Sequence, residues 1–376
     1  MKKKLLIATD SFLPRWDGIA RFLLEIIPSL KDDFEVTIIA PNFPGEMKNL
    51  KDVNIVRVPL SFIRAGDFVF SKLKFRLIKK VVKENDIVWS NTIGPIGCLA
   101  IHYAKKKGVP LVSYVHSIEW ELVSKSISRP YLSYMLTNIT KILARRLYNK
   151  SNLILLPSKD VRNIFDSARI LPRKKVVYLG TDTNKFVPPD DRESAKQRLG
   201  IDKDIVVIGF HGRLGREKGL MTLYNSFIKL RSEYDKILLV IIGSGLKEQE
   251  NLFRSTADIK YIESTDNVVP YLQAMDIYVL PSFTETTSLS TLEAMSCECA
   301  VLSTKVGFVK KYIKDKYNGS FFPMGNEEVL RLKLKWLIEH PDIRKELGKN
   351  ARKVVKRKFN WNDTKRDIRS ALLSLL

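Results

Sequence analysis

Long apolar runs are missing from this sequence: none approaches the roughly 20 residues that a membrane-spanning helix needs, so no span is expected. Cysteine is nearly missing too. Cys98, Cys297 and Cys299 are an odd number without metal-like spacing. Cys297-x-Cys299 could form half of a zinc site, but no second Cys/His pair exists to complete it, so buried thiols in a reducing compartment are expected. Met1-Lys2-Lys3-Lys4 opens like an export signal, yet the apolar run Leu5 to Ala8 is too short and Asp10 ends it. The expected location is therefore the cytoplasm. Acidic residues are scarce as well. The chain of 376 residues carries 64 Lys and Arg against 41 Asp and Glu, a net charge of +23. Residues 1–180 hold 31 bases against 15 acids, a net of +16, whereas the remainder holds 33 against 26, a net of +7. Such a bias fits nucleic acid, an anionic membrane surface or phosphorylated substrates, and does not choose among them. No recognised nucleic-acid motif is present, so nucleic acid is not expected as a partner.

What is there is a globular composition, 45% hydrophobic and 28% charged, in a length that points to about two domains. Short β-branched runs alternate with longer amphipathic stretches, which reads as strand–helix units around parallel sheets. The strand candidates of the first half are Leu5–Thr9, Val36–Ala40, Asn54–Val58, Ile87–Trp89, Leu111–Val115 and Leu153–Pro157. The pattern pauses at Gly180-Thr181-Asp182 and Pro188-Pro189-Asp190-Asp191, a credible junction. It restarts with Ile205–Phe210, Ile237–Ile242, Lys260–Glu263 and Ile277–Leu280. Near the C-terminus, Ile368, Leu372, Leu373 and Leu376 recur at helical spacing.

In open parallel sheets, ligands bind beyond the carboxyl ends of the strands, so the strand-to-helix loops are where chemistry is expected. After Ile205–Phe210 comes His211-Gly212-Arg213-Leu214-Gly215-Arg216-Glu217-Lys218-Gly219. Three glycines permit close backbone approach, and Arg213, Arg216 and Lys218 put positive charge beside a helix start, the composition of an anion-binding loop. A solvated basic turn is the plainer alternative. After Ile277–Leu280, Ser288 is placed to cap the helix that begins at Leu289. Glu285 falls in that loop and Glu293 more than a turn inside the helix, where carboxylates can accept from sugar or ribose hydroxyls. The alternative makes Glu285 a partner of the helix dipole and Glu293 a surface residue. Gly243-Ser244-Gly245 follows Ile237–Ile242, His116 follows Leu111–Val115, and Asp17-Gly18 follows Leu5–Thr9. Each admits an ordinary structural role, but all fall at carboxyl ends of expected strands.

Together these residues resemble the family-4 glycosyltransferases, retaining enzymes of the GT-B fold, over essentially the full length. Gly212-Arg213-Leu214 with Lys218-Gly219 is similar to the family's G-R-L-x-x-x-K-G loop. Glu285 and Glu293 reproduce its E-x7-E motif, followed by Ala294-Met295, with Gly307 and Asn318-Gly319 in step. The resemblance implies an α/β architecture of two Rossmann-like, doubly wound parallel-sheet domains facing across a cleft. Residues 1–180, joined by a C-terminal helix 360–376, would form the acceptor side, and residues 190–359 the donor-binding side. It further implies that Arg213 and Lys218 hold the donor diphosphate in place of a metal. Glu285 would contact the sugar, and Glu293 the ribose. Backbone amides near Ser288 and Leu289 would face the phosphates, Gly243 would border the donor, His116 would sit by the transferred sugar, and Gly18 would let its loop approach the phosphate. No metal and no cofactor is expected. Asp202-Lys203-Asp204 fits D-x-D formally but precedes a strand, so it reads as a surface turn.

The sequence also departs from the pattern. Thr286 and Ser288 stand where many members have glycine, and Asp17 replaces the first of two usual glycines. Glu298 and Ala300 replace the common Gly and Pro, and Tyr261-Ile262-Glu263 lacks a common glycine. The expected function is retaining transfer of a sugar from a UDP- or GDP-sugar to a glycan, lipid or lipid-linked acceptor. A sugar-nucleotide epimerase or phosphorylase of the same fold is the nearest alternative, and a non-enzymatic nucleic-acid binder a remote one. One segment bears on the acceptor. Between residues 64 and 83, a helical wheel gathers Lys72, Arg76, Lys79 and Lys83 on one side and Phe70, Leu73, Leu77 and Val81 on the other. That pattern fits an ordinary helix with a solvated basic face or a helix contacting an anionic membrane.

Overall fold

The computed structural model describes residues 2–15, 17–46, 50–65, 68–126, 130–263, 265, 267–285 and 287–376. The chain divides into two compact units, Met1–Tyr178 with Thr364–Leu376, and Leu179–Asp363.

Unit 1 contains strands β1 (Lys3–Ala8), β2 (Phe34–Pro41), β3 (Val53–Val58), β4 (Leu60–Ala65), β5 (Phe68–Ser71), β6 (Ile87–Ser90), β7 (Leu111–Tyr114), β8 (Leu153–Leu156) and β9 (Arg173–Val176). Its helices are α1 (Gly18–Ile26), α2 (Phe75–Lys83), α3 (Pro95–Lys107), α4 (Glu119–Ser126), α5 (Pro130–Tyr148) and α6 (Lys159–Ser167). Seven strands pair in parallel in the order β3-β2-β1-β6-β7-β8-β9. The central strands are apolar without alternation because helices cover both faces. Strands β6, β7 and β8 are buried throughout. Ile78, Val81 and Val82 of α2 and Ile96, Ala100, Ile101 and Ala104 of α3 share one core with Leu6, Ala8, Ile39 and Val88 of the sheet.

The segment 64–83 is not one helix, contrary to the wheel. Strands β4 and β5 form an antiparallel pair, with Leu60 opposite Ser71, and α2 begins only at Phe75. Phe70 therefore lies in β5, and Lys72 and Leu73 precede the helix. The buried stripe is Ile78, Val81 and Val82, leaving Leu73 exposed, while Arg76, Lys79 and Lys83 do face solvent. Aromatic and β-branched residues at 62, 63, 68, 69 and 70 favour strand pairing, and the basic periodicity masked that preference.

Unit 2 contains α7 (Arg192–Gln197), β10 (Val206–His211), α8 (Leu220–Arg231), β11 (Ile237–Ile242), α9 (Lys247–Ser255), β12 (Ile259–Ile262), α10 (Val269–Ala274), β13 (Ile277–Leu280), α11 (Leu289–Ser296), β14 (Ala300–Ser303), α12 (Val309–Tyr312), β15 (Ser320–Phe321), α13 (Glu327–Glu339) and α14 (Pro341–Lys358). Its strands order as β12-β11-β10-β13-β14-β15, all parallel. The last helix, α15 (Trp361–Leu373), contributes Ile368, Ala371 and Leu372 to the buried interior, and Arg369 holds Asp33 through two hydrogen bonds of 2.5 Å. Asp202-Lys203-Asp204 forms an exposed turn ahead of β10. Cys297 and Cys299 are buried free thiols, and burial pushes Cys299 up to about 11.

Both sheets reverse strand order once. In unit 1 the chain winds from β1 to β3 on one side and from β6 to β9 on the other. In unit 2 it winds from β10 to β12, then from β13 to β15. The crevice outside the strand ends at such a reversal is where open α/β sheets bind ligands.

Candidate active site

At the reversal in unit 2, three loops converge. The loop after β10 is zipped to the loop after β11, since Leu214 N donates to the Ser244 carbonyl at 2.9 Å and Leu246 N to the Leu214 carbonyl at 2.8 Å. The loop after β13 is tied to the same turn, because Phe283 N donates to the Glu217 carbonyl at 2.8 Å. Glycine is needed for this closeness. A Cβ on Gly243 would lie 1.9 Å from the Gly212 carbonyl oxygen, and one on Gly219 2.3 Å from that of Pro281; both also have positive φ, 137° and 61°.

The side chains on these loops are charged and paired. Lys218 Nζ donates to Glu285 Oε1 at 2.6 Å, and Ser282 Oγ donates to the same oxygen at 2.9 Å. Arg213 bonds Glu217, four residues on. So Arg213, Lys218 and Glu285 stand on loops tied together at one strand-order reversal, each cation already beside a carboxylate. Glu293 is not a surface residue. It is buried on α11, and its Oε2 lies 3.3 Å from His211 Nε2. His211, which also lies 3.2 Å from the Ser290 carbonyl oxygen, was not singled out by sequence. Its place as the last residue of β10, beside the glycine loop, was the available signal.

Ser288 does not cap α11 with its side chain. Its Oγ instead lies 2.8 Å from Thr291 Oγ1, and its φ is +59°. Left-handed backbone costs a non-glycine residue roughly 1 kcal/mol, which accounts for glycine standing here in many relatives of the motif. Without a side-chain cap at Ser288, the amide end of α11, where the helix dipole favours anions, follows the loop of Glu285 in sequence. Thr286 lies outside the described residues. Glu298 likewise has φ +59°, and Ala300 N donates to the Asp276 carbonyl at 3.0 Å, a bond proline could not make.

The reversal in unit 1 has a different character. Gly18 starts α1 with open space around it. Asp17, however, takes the amides of Ile19 and Ala20 at 2.9 and 3.0 Å, and Ser11 Oγ bonds its other oxygen. His116, past β7, lies with Nε2 3.0 Å from Asn91 Oδ1, which follows β6. Its ring packs against Phe22 and Tyr114 at 4.8 and 4.6 Å between centroids. Desolvation pushes its pKa down to about 3, so the ring is neutral and donates through Nε2 to Asn91. Lys72, Arg76, Lys79 and Lys83 lie in or near α2, away from these loops in sequence. Lys79 and Lys83 lie close enough to Lys107 that their charges lower its pKa.

Two sheets of this topology, with a Gly-Arg-Leu turn and paired glutamates at the second reversal, define a GT-B glycosyltransferase, and the chain belongs to the family-4 glycosyltransferases. The family described as Glycosyl transferases group 1 matches residues 191–354, and Glycosyltransferase Family 4 matches residues 16–185. Among curated relatives, the alpha-monoglucosyldiacylglycerol synthase of Streptococcus pneumoniae is 23% identical over 349 residues, covering 89% of this chain and 78% of that protein. The N,N'-diacetylbacillosaminyl-diphospho-undecaprenol alpha-1,3-N-acetylgalactosaminyltransferase of Campylobacter jejuni is 26% identical, covering 89% and 90%. Among solved structures, Anabaena Alr3699/HepE in complex with UDP and glucose superposes with a TM-score of 0.80 at 20% identity, covering all of both chains. Among the described residues, no helix is long and apolar enough to cross a membrane.

Proposed function

We propose that this glycosyltransferase moves a sugar, with retention of configuration and without a metal, from a UDP- or GDP-sugar to a lipid or lipid-linked acceptor at the cytoplasmic membrane face. The observation that carries the reading is the Lys218–Glu285 pair, which joins the Arg213 loop to the loop leading into α11, a helix without a side-chain cap. A nucleotide diphosphate brings two phosphates that outcompete a single carboxylate for two cations and a helix terminus. On donor binding, Arg213 and Lys218 turn from Glu217 and Glu285 to the diphosphate, which frees Glu285 for the sugar hydroxyls. Glu293 accepts from the ribose, and Gly243 and Gly18 give the ligand room. When the bond from the anomeric carbon to the β-phosphate oxygen breaks, negative charge grows on the leaving diphosphate. Fixed cations stabilise it, each worth about 3–4 kcal/mol of barrier. The leaving phosphate takes the acceptor proton, so no protein base is needed, and neutral His116 contributes shape and a hydrogen bond. In this reading residues 190–359 bind the donor, and residues 1–180 with helix 360–376 serve the acceptor.

The names of the two curated relatives above carry lipids, a glucosyldiacylglycerol and a diphospho-undecaprenol, and the exposed basic residues of α2 suit an anionic surface. The test is transfer from radiolabelled UDP- and GDP-sugars to a bacterial lipid extract in EDTA, with the product anomer read by NMR. An α-linked glycolipid formed in EDTA is expected. Activity lost in EDTA and restored by magnesium overturns the metal-free reading, and an epimerised nucleotide sugar overturns transfer itself.

A further inference from the structure

Helix α5 is longer than its place in the fold requires. Nineteen residues span about 28 Å, whereas β8, to which it leads, has four residues. Only its C-terminal end is built into the core, through Ala144 and Tyr148, which pack with Ile154, Leu156 and Phe165. The rest lies against α4, as Ser133 Oγ donates to the Ser124 carbonyl at 3.0 Å. Ser133, Ala144 and Tyr148 mark the buried stripe. On the opposite side Tyr131, Leu132, Met135, Ile139, Ile142 and Leu143 are all exposed, from 37% for Leu132 to 82% for Tyr131. At 100° per residue these six cover an arc of about 120°. A contiguous apolar stripe of this kind marks an interaction site.

Its charge says what covers it. Residues 130–148 include no Asp or Glu, and Arg146, on the stripe, and Arg145, beside it, are exposed. Apolar side chains on a helix whose charges are all cationic match the boundary between lipid headgroups and acyl chains. The hairpin of α4 and α5 also follows His116 directly in sequence, leaving the carboxyl end of β7 where the unit 1 site lies.

We propose that the outward face of α5 is the surface by which this protein docks on a bilayer containing anionic lipid. This rests on the lipid-acceptor reading for its purpose, while its physical basis is the face itself. The face inserts its six apolar side chains at headgroup level, Arg145 and Arg146 meet lipid phosphates, and the basic residues of α2 add long-range attraction.

The full-length chain is tested by co-sedimentation with vesicles of phosphatidylcholine alone or mixed with phosphatidylglycerol. Wild type binds the anionic vesicles at low salt. The variant Met135→Ser/Ile139→Ser/Ile142→Ser loses roughly tenfold or more of that binding, with thermal unfolding unchanged. Arg76→Gln/Lys79→Gln/Lys83→Gln flattens the salt dependence instead. Equal binding of wild type and the serine variant overturns the proposal. So does a wild-type dimer in analytical ultracentrifugation that the serine variant dissociates while wild type ignores vesicles, for then a second copy covers the face. Transfer is scored separately with labelled donor and either dispersed lipid or a water-soluble glycan. Serine-sensitive docking with transfer only to the soluble glycan upholds the docking face and sinks the lipid acceptor. Glycolipid synthesis with serine-insensitive docking does the reverse.

Discussion

The two strand-order reversals are topological counterparts, yet they are furnished oppositely. At the unit 2 reversal, cations and carboxylates are set in pairs, Lys218 with Glu285 and Arg213 with Glu217, and the start of α11 has no side-chain cap. At the unit 1 reversal, Asp17 caps α1, and His116 is a neutral ring between Phe22 and Tyr114. One site holds cations in ion pairs which, on the proposed reading, the donor diphosphate displaces. The other holds its charges internally satisfied and offers shape. Charge placed so unevenly on one repeated architecture fits a donor whose phosphates need binding and an acceptor recognised by other means.

The largest effect expected from this contrast is at Lys218. Lys218→Ala lowers kcat by about 10²–10³ and leaves Glu285 with only Ser282, and Arg213→Ala behaves alike. Circular dichroism remains that of wild type. A change of less than about tenfold in either variant means that the paired cations are structural and the contrast between the sites is one of packing.

Next come the glutamates, which separate binding from chemistry. Glu293→Gln raises the donor KM by roughly tenfold, because a charged acceptor for ribose hydroxyls becomes a weaker neutral one. Glu285→Gln lowers kcat by a similar factor with KM held. The buried His211 beside Glu293 adds a check, since His211→Phe raises KM as Glu293→Gln does and spares kcat. Unchanged kinetics in both glutamine variants would remove the site from α11.

The contrast also explains what could be read in advance. The loops at the unit 2 reversal were legible because glycines required by close backbone approach, with the charged residues beside them, keep a fixed spacing in sequence, from Gly212 to Gly219 and from Glu285 to Glu293. Buried parallel strands were legible as apolar runs. Strand β9 was not, because Arg173-Lys174-Lys175-Val176 at the sheet edge carries no apolar run, nor was β14, which follows α11 with no Gly or Pro to mark the break. The hairpin of β4 and β5 was hidden by lysines and arginines at helical intervals. The pairing of Glu293 with His211 depends on adjacency of β10 and β13, a long-range fact that no local pattern encodes. The stripe on α5 reads as ordinary core until the fold shows it exposed among the described residues, since apolar residues at helical spacing look alike whether they face protein or solvent.

The smallest effect concerns how unit 1 treats its titratable groups, and its sign differs between two neighbours. Burial pushes His116 down to about 3 and Glu119, whose Oε1 accepts from Tyr148 Oη at 2.8 Å, up to about 7. Both shifts favour the neutral form. For His116 the folded value lies below the unfolded one, so its contribution to stability is full above about 6.5 and declines as pH falls below that toward 3. For Glu119 the folded value lies above the unfolded one, so its contribution is full below 4.5 and is lost as pH rises through about 7. At pH 8 a carboxylate stands where Oε2 is buried without a hydrogen-bond partner. Glu119→Gln removes that charge and keeps an acceptor for Tyr148. Partial solvent access trims the gain to roughly 1 kcal/mol, seen as a Tm higher than wild type at pH 8 and equal to it at pH 5. His116→Gln acts on the other limb, flattening the decline of Tm below pH 6.5. A Glu119→Gln protein that melts lower than wild type at pH 8 would mean that a partner holds this carboxylate charged, and unit 1 would then resemble unit 2 after all.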